Sequence, residues 1–93
     1  MRKYEAMVVI STKRQDEEAV KAHIERFTSL IEANGTLVSV DEWGKRKLAY
    51  LINKESEGYY VLFTFESEPA FPAELDRVFK ITEGLLRTMI VAL

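Results

Sequence analysis

The chain has 93 residues, with 13 Lys and Arg against 15 Asp and Glu, for a formal net charge of −2. That length allows one domain over residues 1–93, burying roughly 60–65% of its unfolded surface, enough for one core but not for a deep enclosed cavity. It has no cysteine, which excludes disulfides, thiolate metal ligands and cysteine nucleophiles and fits a reducing cytoplasm. No apolar run approaches the roughly 20 residues of a membrane span, and the charged start Met1–Glu5 before a short apolar run is unlike a signal peptide.

Tyr4 to Ile10 is a compact apolar run rich in β-branched residues and reads as a buried strand. A polar turn follows from Ser11 to Gln15. Beyond it, Val20, Ile24, Phe27 and Ile31, flanked by Leu30, recur at three- and four-residue steps and make one apolar helix face. Asp16 is the expected N-cap, with Glu17 and Glu18 at the positive end of the helix dipole. Asn34-Gly35 is the expected stop, with Gly35 free to take positive φ.

Thr36 to Ile52 alternates again, but it is long for one regular strand. Its polar middle, Glu42 to Lys47, includes Gly44, and a mid-strand glycine marks a bulge or a close backbone approach. The expectation is a long bent strand whose middle projects beyond the core. Asn53 to Gly58 reads as a hairpin loop, and Tyr59 to Phe65 as the returning strand, with Val61, Phe63 and Phe65 on one face and Tyr60, Leu62, Thr64 and Glu66 on the other. Both prolines lie in the segment to Pro72 that opens a second helix. Phe71, Leu75, Val78 and Phe79 form its apolar face, and Thr82-Glu83-Gly84 ends it. Leu85 to Ala92 is a last strand containing Arg87. The order β-α-β-β-α-β is that of an α+β, ferredoxin-like sandwich, in which two helices cover one face of a four-stranded antiparallel sheet and leave the other open.

Little here supports catalysis. His23 is the only histidine and supplies neither a metal-ligand set nor a triad, so it reads as a helix-flank residue. Asp41 and Glu42 are adjacent and point to opposite faces of a strand, so they do not form a carboxylate pair. The glycines are scattered at 35, 44, 58 and 84, without a phosphate loop. The chain reads as no enzyme, with no cofactor and no metal.

Charge is segregated. Residues 1–14 carry +3, 15–35 carry −3, 36–54 carry +2, 55–76 carry −6 and 77–93 carry +2. Arg2, Lys3, Lys45, Arg46, Lys47 and Arg87 lie on the basic strands and are expected to make one local positive field able to neutralise phosphates despite the acidic total. The alternative is that they are solvated charges that blunt a sheet edge against aggregation. Gly58 to Phe63 matches the aromatic strand of RNA-recognition motifs only faintly, since Glu57 stands where a basic residue is usual. Trp43, in a polar and glycine-containing stretch, either anchors an interface or folds back over its own sheet.

Met1-Arg2-Lys3-Tyr4-Glu5, the segment Trp43-Gly44-Lys45-Arg46-Lys47-Leu48-Ala49-Tyr50 with Ile52-Asn53-Lys54 after it, and Arg87-Thr88-Met89-Ile90-Val91 together resemble the bacterial small-ribosomal-subunit protein six family, from Met1 to about Ala92. The resemblance implies a structural, cytoplasmic, ribosome-associated protein. It implies binding to small-subunit ribosomal RNA in the central domain, as a heterodimer with small-subunit protein eighteen, without a membrane or a small-molecule substrate. Position by position, Arg2 and Lys3 match the basic pair before the family tyrosine, Arg46 and Lys47 the pair before Leu48-Ala49-Tyr50, and Arg87 the arginine of the last strand. With Lys45 these are the expected RNA contacts; Trp43, Leu48 and Tyr50 are the expected contacts with protein eighteen. Leu51 departs from the family's usual proline and restores a backbone donor. The charged C-terminal extension of some members is absent from a chain that stops at Leu93, so contacts are expected from the folded domain alone. The alternative reading is a small-molecule-binding regulatory module on the same sandwich, since fold does not fix function.

Overall fold

A computed structural model describes residues 1–13, 15–52 and 55–93, and for 49–52 the backbone alone. The elements run β1 (Arg2–Ser11), α1 (Glu17–Asn34), β2 (Gly35–Ile52), β3 (Glu55–Ser67), α2 (Phe71–Ile81) and β4 (Leu85–Ala92). The strands form one sheet in the order β2-β3-β1-β4, every pairing antiparallel. This is the ferredoxin-like β-α-β-β-α-β arrangement expected from the sequence.

Both helices lie on one sheet face because their apolar stripes need the same cover. Val20, Ile24, Phe27 and Ile31 of α1 and Phe71, Leu75, Val78 and Phe79 of α2 are buried against Tyr4, Ala6, Val8 and Ile10 of β1 and Val61, Phe63 and Phe65 of β3. Phe27 is the hub of this core. Its ring meets Phe79 edge-on at 4.9 Å and Phe63 at 6.3 Å, the geometry that aromatic quadrupoles favour.

The caps explain where the helices start and stop. Asp16 accepts a hydrogen bond from the Ala19 amide at 2.8 Å, satisfying one of the donors left open by the first turn of α1. At the other end Gly35 departs from expectation. Its φ of −176° is extended, so it is no left-handed cap. Glycine is needed there for close approach, since a Cβ would lie 2.2 Å from the Glu66 carbonyl oxygen. Pro72 sits in the first turn of α2. Thr82 closes that helix, its amide donating to Phe79 O at 3.1 Å and its hydroxyl to Val78 O at 2.6 Å.

Two strands, β1 and β3, are longer at both ends than expected. β1 extends to Arg2 and Ser11 at its ends, because β3 is long enough to pair with all of it. β3 begins at Glu55 rather than Tyr59, so residues 55–58 belong to the ladder and not to a loop; Asn53 and Lys54 lie outside the described residues. Four polar residues in sequence suggest a turn, yet here Lys47 pairs with Glu57 and Arg46 with Gly58. β1 stops at the row of Gly58, so the β2–β3 pair continues beyond it as an arm. This is the projection the long second strand suggests.

Candidate nucleic-acid and partner interface

The face of the sheet away from the helices is open and partly apolar. Met7 of β1, Leu62 of β3 and Met89 and Val91 of β4 line a groove of about 310 Å³ with Glu5 and Trp43. Met89, Val91 and Trp43 remain 47%, 46% and 41% exposed, values out of keeping with a finished core. Trp43 stands at the β2 wall. Its indole is parallel to the Tyr60 ring, with centroids 6.3 Å apart and planes 7° apart, and its Nε1–H donates to Asp41 Oδ2 at 3.0 Å. Trp43 thus lies back against its own sheet, as one of its two readings has it, and keeps a large exposed edge.

Why Trp43 faces this way follows from the ladder. Asp41 pairs with Leu62 and Glu42 with Val61, so Asp41 points to the open face and Glu42 to the helix side, as adjacent strand residues must. The register then shifts between Glu42 and Gly44, where Gly44 has φ +81°. The bulge inserts Trp43 opposite no partner of its own and lets it lie over Tyr60. On the helix side, Tyr59 donates from its hydroxyl to Glu42 Oε1 at 2.9 Å. That bond, aided by burial, raises the phenol above its ordinary value of 10.0.

The expected positive field does not assemble as one unit. Arg2 pairs with Ser67 and Lys3 with Glu66, at the sheet end opposite Lys45, which pairs with Tyr59 and through it aligns with Ile10. Eight rows separate Arg2 from that level, roughly 27 Å along the strands. Both β1 and β2 run antiparallel to β3 and start level with Ser67, so Arg2 and Lys3 stand at the beginning of one strand and Lys45 well along the other. Lys45 and Arg46 occupy the last two rows that β1 backs and Lys47 the first row of the arm, but consecutive strand residues alternate faces. Lys45 lines a cleft of about 510 Å³ on the helix side with Asp16, Glu17, Lys21, Glu42 and Tyr59. Arg46 belongs to the open face, its guanidinium carbon 5.5 Å from the centroid of the Trp43 ring. Lys47 is exposed opposite Glu57. Arg87 pairs with Val9 on the open face, in the same row as Tyr60 and Gly44 but at the far edge, three strand spacings or roughly 14 Å from β2.

Leu48 is half-buried, its Cδ2 close to where a Cβ on Gly58 would stand. Tyr50 lies outside the described side chains. The groove residues Met7, Leu62, Met89 and Val91 escape a sequence reading. Their signal is the second parity of β1, β3 and β4, apolar where an open face should be polar. Among the described residues no group of three His, Asp or Glu could hold a metal, and no helix is long and apolar enough to cross a membrane.

The family model for "Ribosomal protein S6" matches residues 3–92. The chain belongs to the ribosomal protein S6 family. It is 53% identical over 92 residues to the small ribosomal subunit protein bS6 of Clostridium novyi, covering 98% of this chain and 96% of that protein. It is 56% identical to that of Clostridium perfringens over the same shares. The crystal structure of 30S ribosomal protein S6 from Thermotoga maritima superposes with a TM-score of 0.93 at 30% identity, covering 99% of this chain and 87% of that one. The C-terminal domain of the MgtC protein from Mycobacterium tuberculosis, at 19% identity and a TM-score of 0.59, shares the fold alone. As an S6-family member the chain is a structural ribosomal protein of the small subunit, not an enzyme.

Proposed function

We propose that this S6-family chain joins the small subunit by binding two partners through the open face of its sheet and the basic stretch Lys45–Lys47 of β2. That stretch, through Arg46 with Lys45 and Lys47, and Arg87 at the opposite edge contact phosphates of small-subunit ribosomal RNA in the central domain. Trp43, Leu48, Tyr50 and the apolar groove beside them receive small-subunit protein eighteen. Arg2 and Lys3 are further RNA candidates, at the other end of the sheet. The observation that carries this reading is the meeting of a cationic stretch and an exposed apolar groove at Trp43.

The balance of charges supports a narrow RNA contact. Acidic α1 and the start of α2 face solvent on the opposite side, and a net charge of −2 disfavours indiscriminate binding. The isolated chain is therefore expected to bind ribosomal RNA weakly and the heterodimer well. Titration of a central-domain RNA fragment, with and without protein eighteen, at several salt concentrations tests this. Tight, salt-steep binding by the chain alone overturns it. In cell lysate, a tagged chain should co-sediment with small subunits, and Arg46→Glu with Trp43→Ala should release it.

A further inference from the structure

Trp43 and Arg46 are three residues apart on one strand. In an unbroken strand, residues separated by three point to opposite faces. Here both lie on the open face, since the indole stacks on Tyr60 and the Arg46 guanidinium lies 5.5 Å from the indole centroid. The register shift between Glu42 and Gly44, with Gly44 at φ +81°, supplies the missing residue of parity. The bulge therefore has a product: it brings a cation over a ring.

The ring itself is fixed on two sides. Tyr60 supports its face from β3, and Asp41 Oδ2 accepts from its Nε1–H at 3.0 Å, which sets the rotation of the indole in its plane. An exposed arginine on an outer strand would otherwise sample many rotamers, and a guanidinium held over an aromatic ring is confined to few. A guanidinium held over the ring also keeps N–H donors for two oxygens of one phosphate.

We infer that Trp43 is a positioning residue for Arg46: it acts on the RNA phosphate contact through the cation it carries, in addition to any surface it offers a protein partner. This inference rests on the RNA reading above. It assigns Tyr60 and Asp41 to the same device, as the supports of the indole.

A double-mutant cycle separates the two levels. Affinity for the central-domain RNA fragment is measured at saturating protein eighteen for the native chain, Arg46→Ala, Trp43→Ala and the double variant. Arg46→Ala should weaken binding about tenfold and lower the salt slope by about one. Trp43→Ala should weaken it about fivefold and also flatten the salt slope. The double variant should lie within about twofold of Arg46→Ala alone. Trp43→Phe, which keeps a ring under the cation, should recover most of the affinity. If Arg46→Ala changes nothing, the RNA reading itself fails. If Arg46→Ala acts but the two losses multiply in full, or Trp43→Ala leaves the salt slope untouched, Trp43 is an independent contact and the positioning role is overturned. Thermal melts of each variant identify any loss that comes from unfolding, and Trp43→Phe then carries the test.

Discussion

Both ends of the sheet carry basic residues, in different surroundings. At one end Lys3 stands directly opposite Glu66 and two residues from Glu5, so opposite charges face each other across and along the strands. At the other end Lys45 and Arg46 fill the last two rows backed by β1, and Lys47 begins the two-stranded arm opposite Glu57. Arg46, the open-face member of the three, lies over a tryptophan. The +3 of residues 1–14 is not the charge of one end, since Lys13 follows Ser11 at the end that carries Arg46. Register decides which cations have an acid beside them and which present a face to solvent. A basic run predicts a binding surface only once its cross-strand neighbours are known.

The comparison can be broken most completely through what the two ends share. Phe63→Ala removes a fully buried ring that meets Phe27 edge-on, and should cost about 3–5 kcal/mol in chemical denaturation, loosening both ends together. A selective break comes from charge reversal. Arg46→Glu should weaken RNA binding by the heterodimer about 30-fold, whereas Lys3→Glu, already opposite an acid, should change it by less than about threefold in the same titration. Equal losses would mean that the ends act alike. A finer probe is Gly44→Ala. Nothing lies within 4 Å of the added Cβ, so any cost comes from its φ of +81°, about 1 kcal/mol in a urea midpoint, with RNA affinity falling as the bulge relaxes.

The smallest expected effect is a pH dependence on the helix side of the arm's end. His23 stacks on Phe27, and its Nε2 lies 3.1 Å from Gln15 Oε1, the acceptor. Burial, with Arg26 beside it, holds the imidazole below its ordinary 6.5. The unfolded chain therefore protonates first as pH falls, so this share of stability is complete above pH 6.5 and declines below it. Urea midpoints at pH 7.5 and 5 should show a small fall that His23→Gln removes.

Most of the fold is legible from local pattern. The stripe Val20, Ile24, Phe27, Ile31 fixes a helix and its buried face, and the parity of Val61, Phe63 and Phe65 fixes which side of β3 meets it. Gly44 in a polar stretch signals the bulge. What stays hidden is non-local. The separation of Arg2 and Lys3 from Lys45 depends on the register of β1 and β2 against β3, a fact that no window of sequence contains. Glu55 reads as a loop residue, yet it is buried, with the Ser11 hydroxyl donating to its carboxylate from the end of β1. The groove is hidden for the same reason: Met7, Leu62 and Met89 come from three strands, and only the register sets them side by side.

β2 spends 18 residues on a span that β3 covers with 13, and the surplus enters at three places, between Leu37 and Ser39, Glu42 and Gly44, and Lys47 and Ile52. β2 is also an outer strand of the sheet. Each irregularity turns its unpaired amides and carbonyls out of line, so a foreign strand laid along this edge would meet hydrogen-bonding groups in step for only a few residues at a time. A ribosomal protein is made apart from its subunit and must wait in a crowded solution with an apolar face exposed. The same kinks that shape its contact surface make its border a poor template for fibre growth.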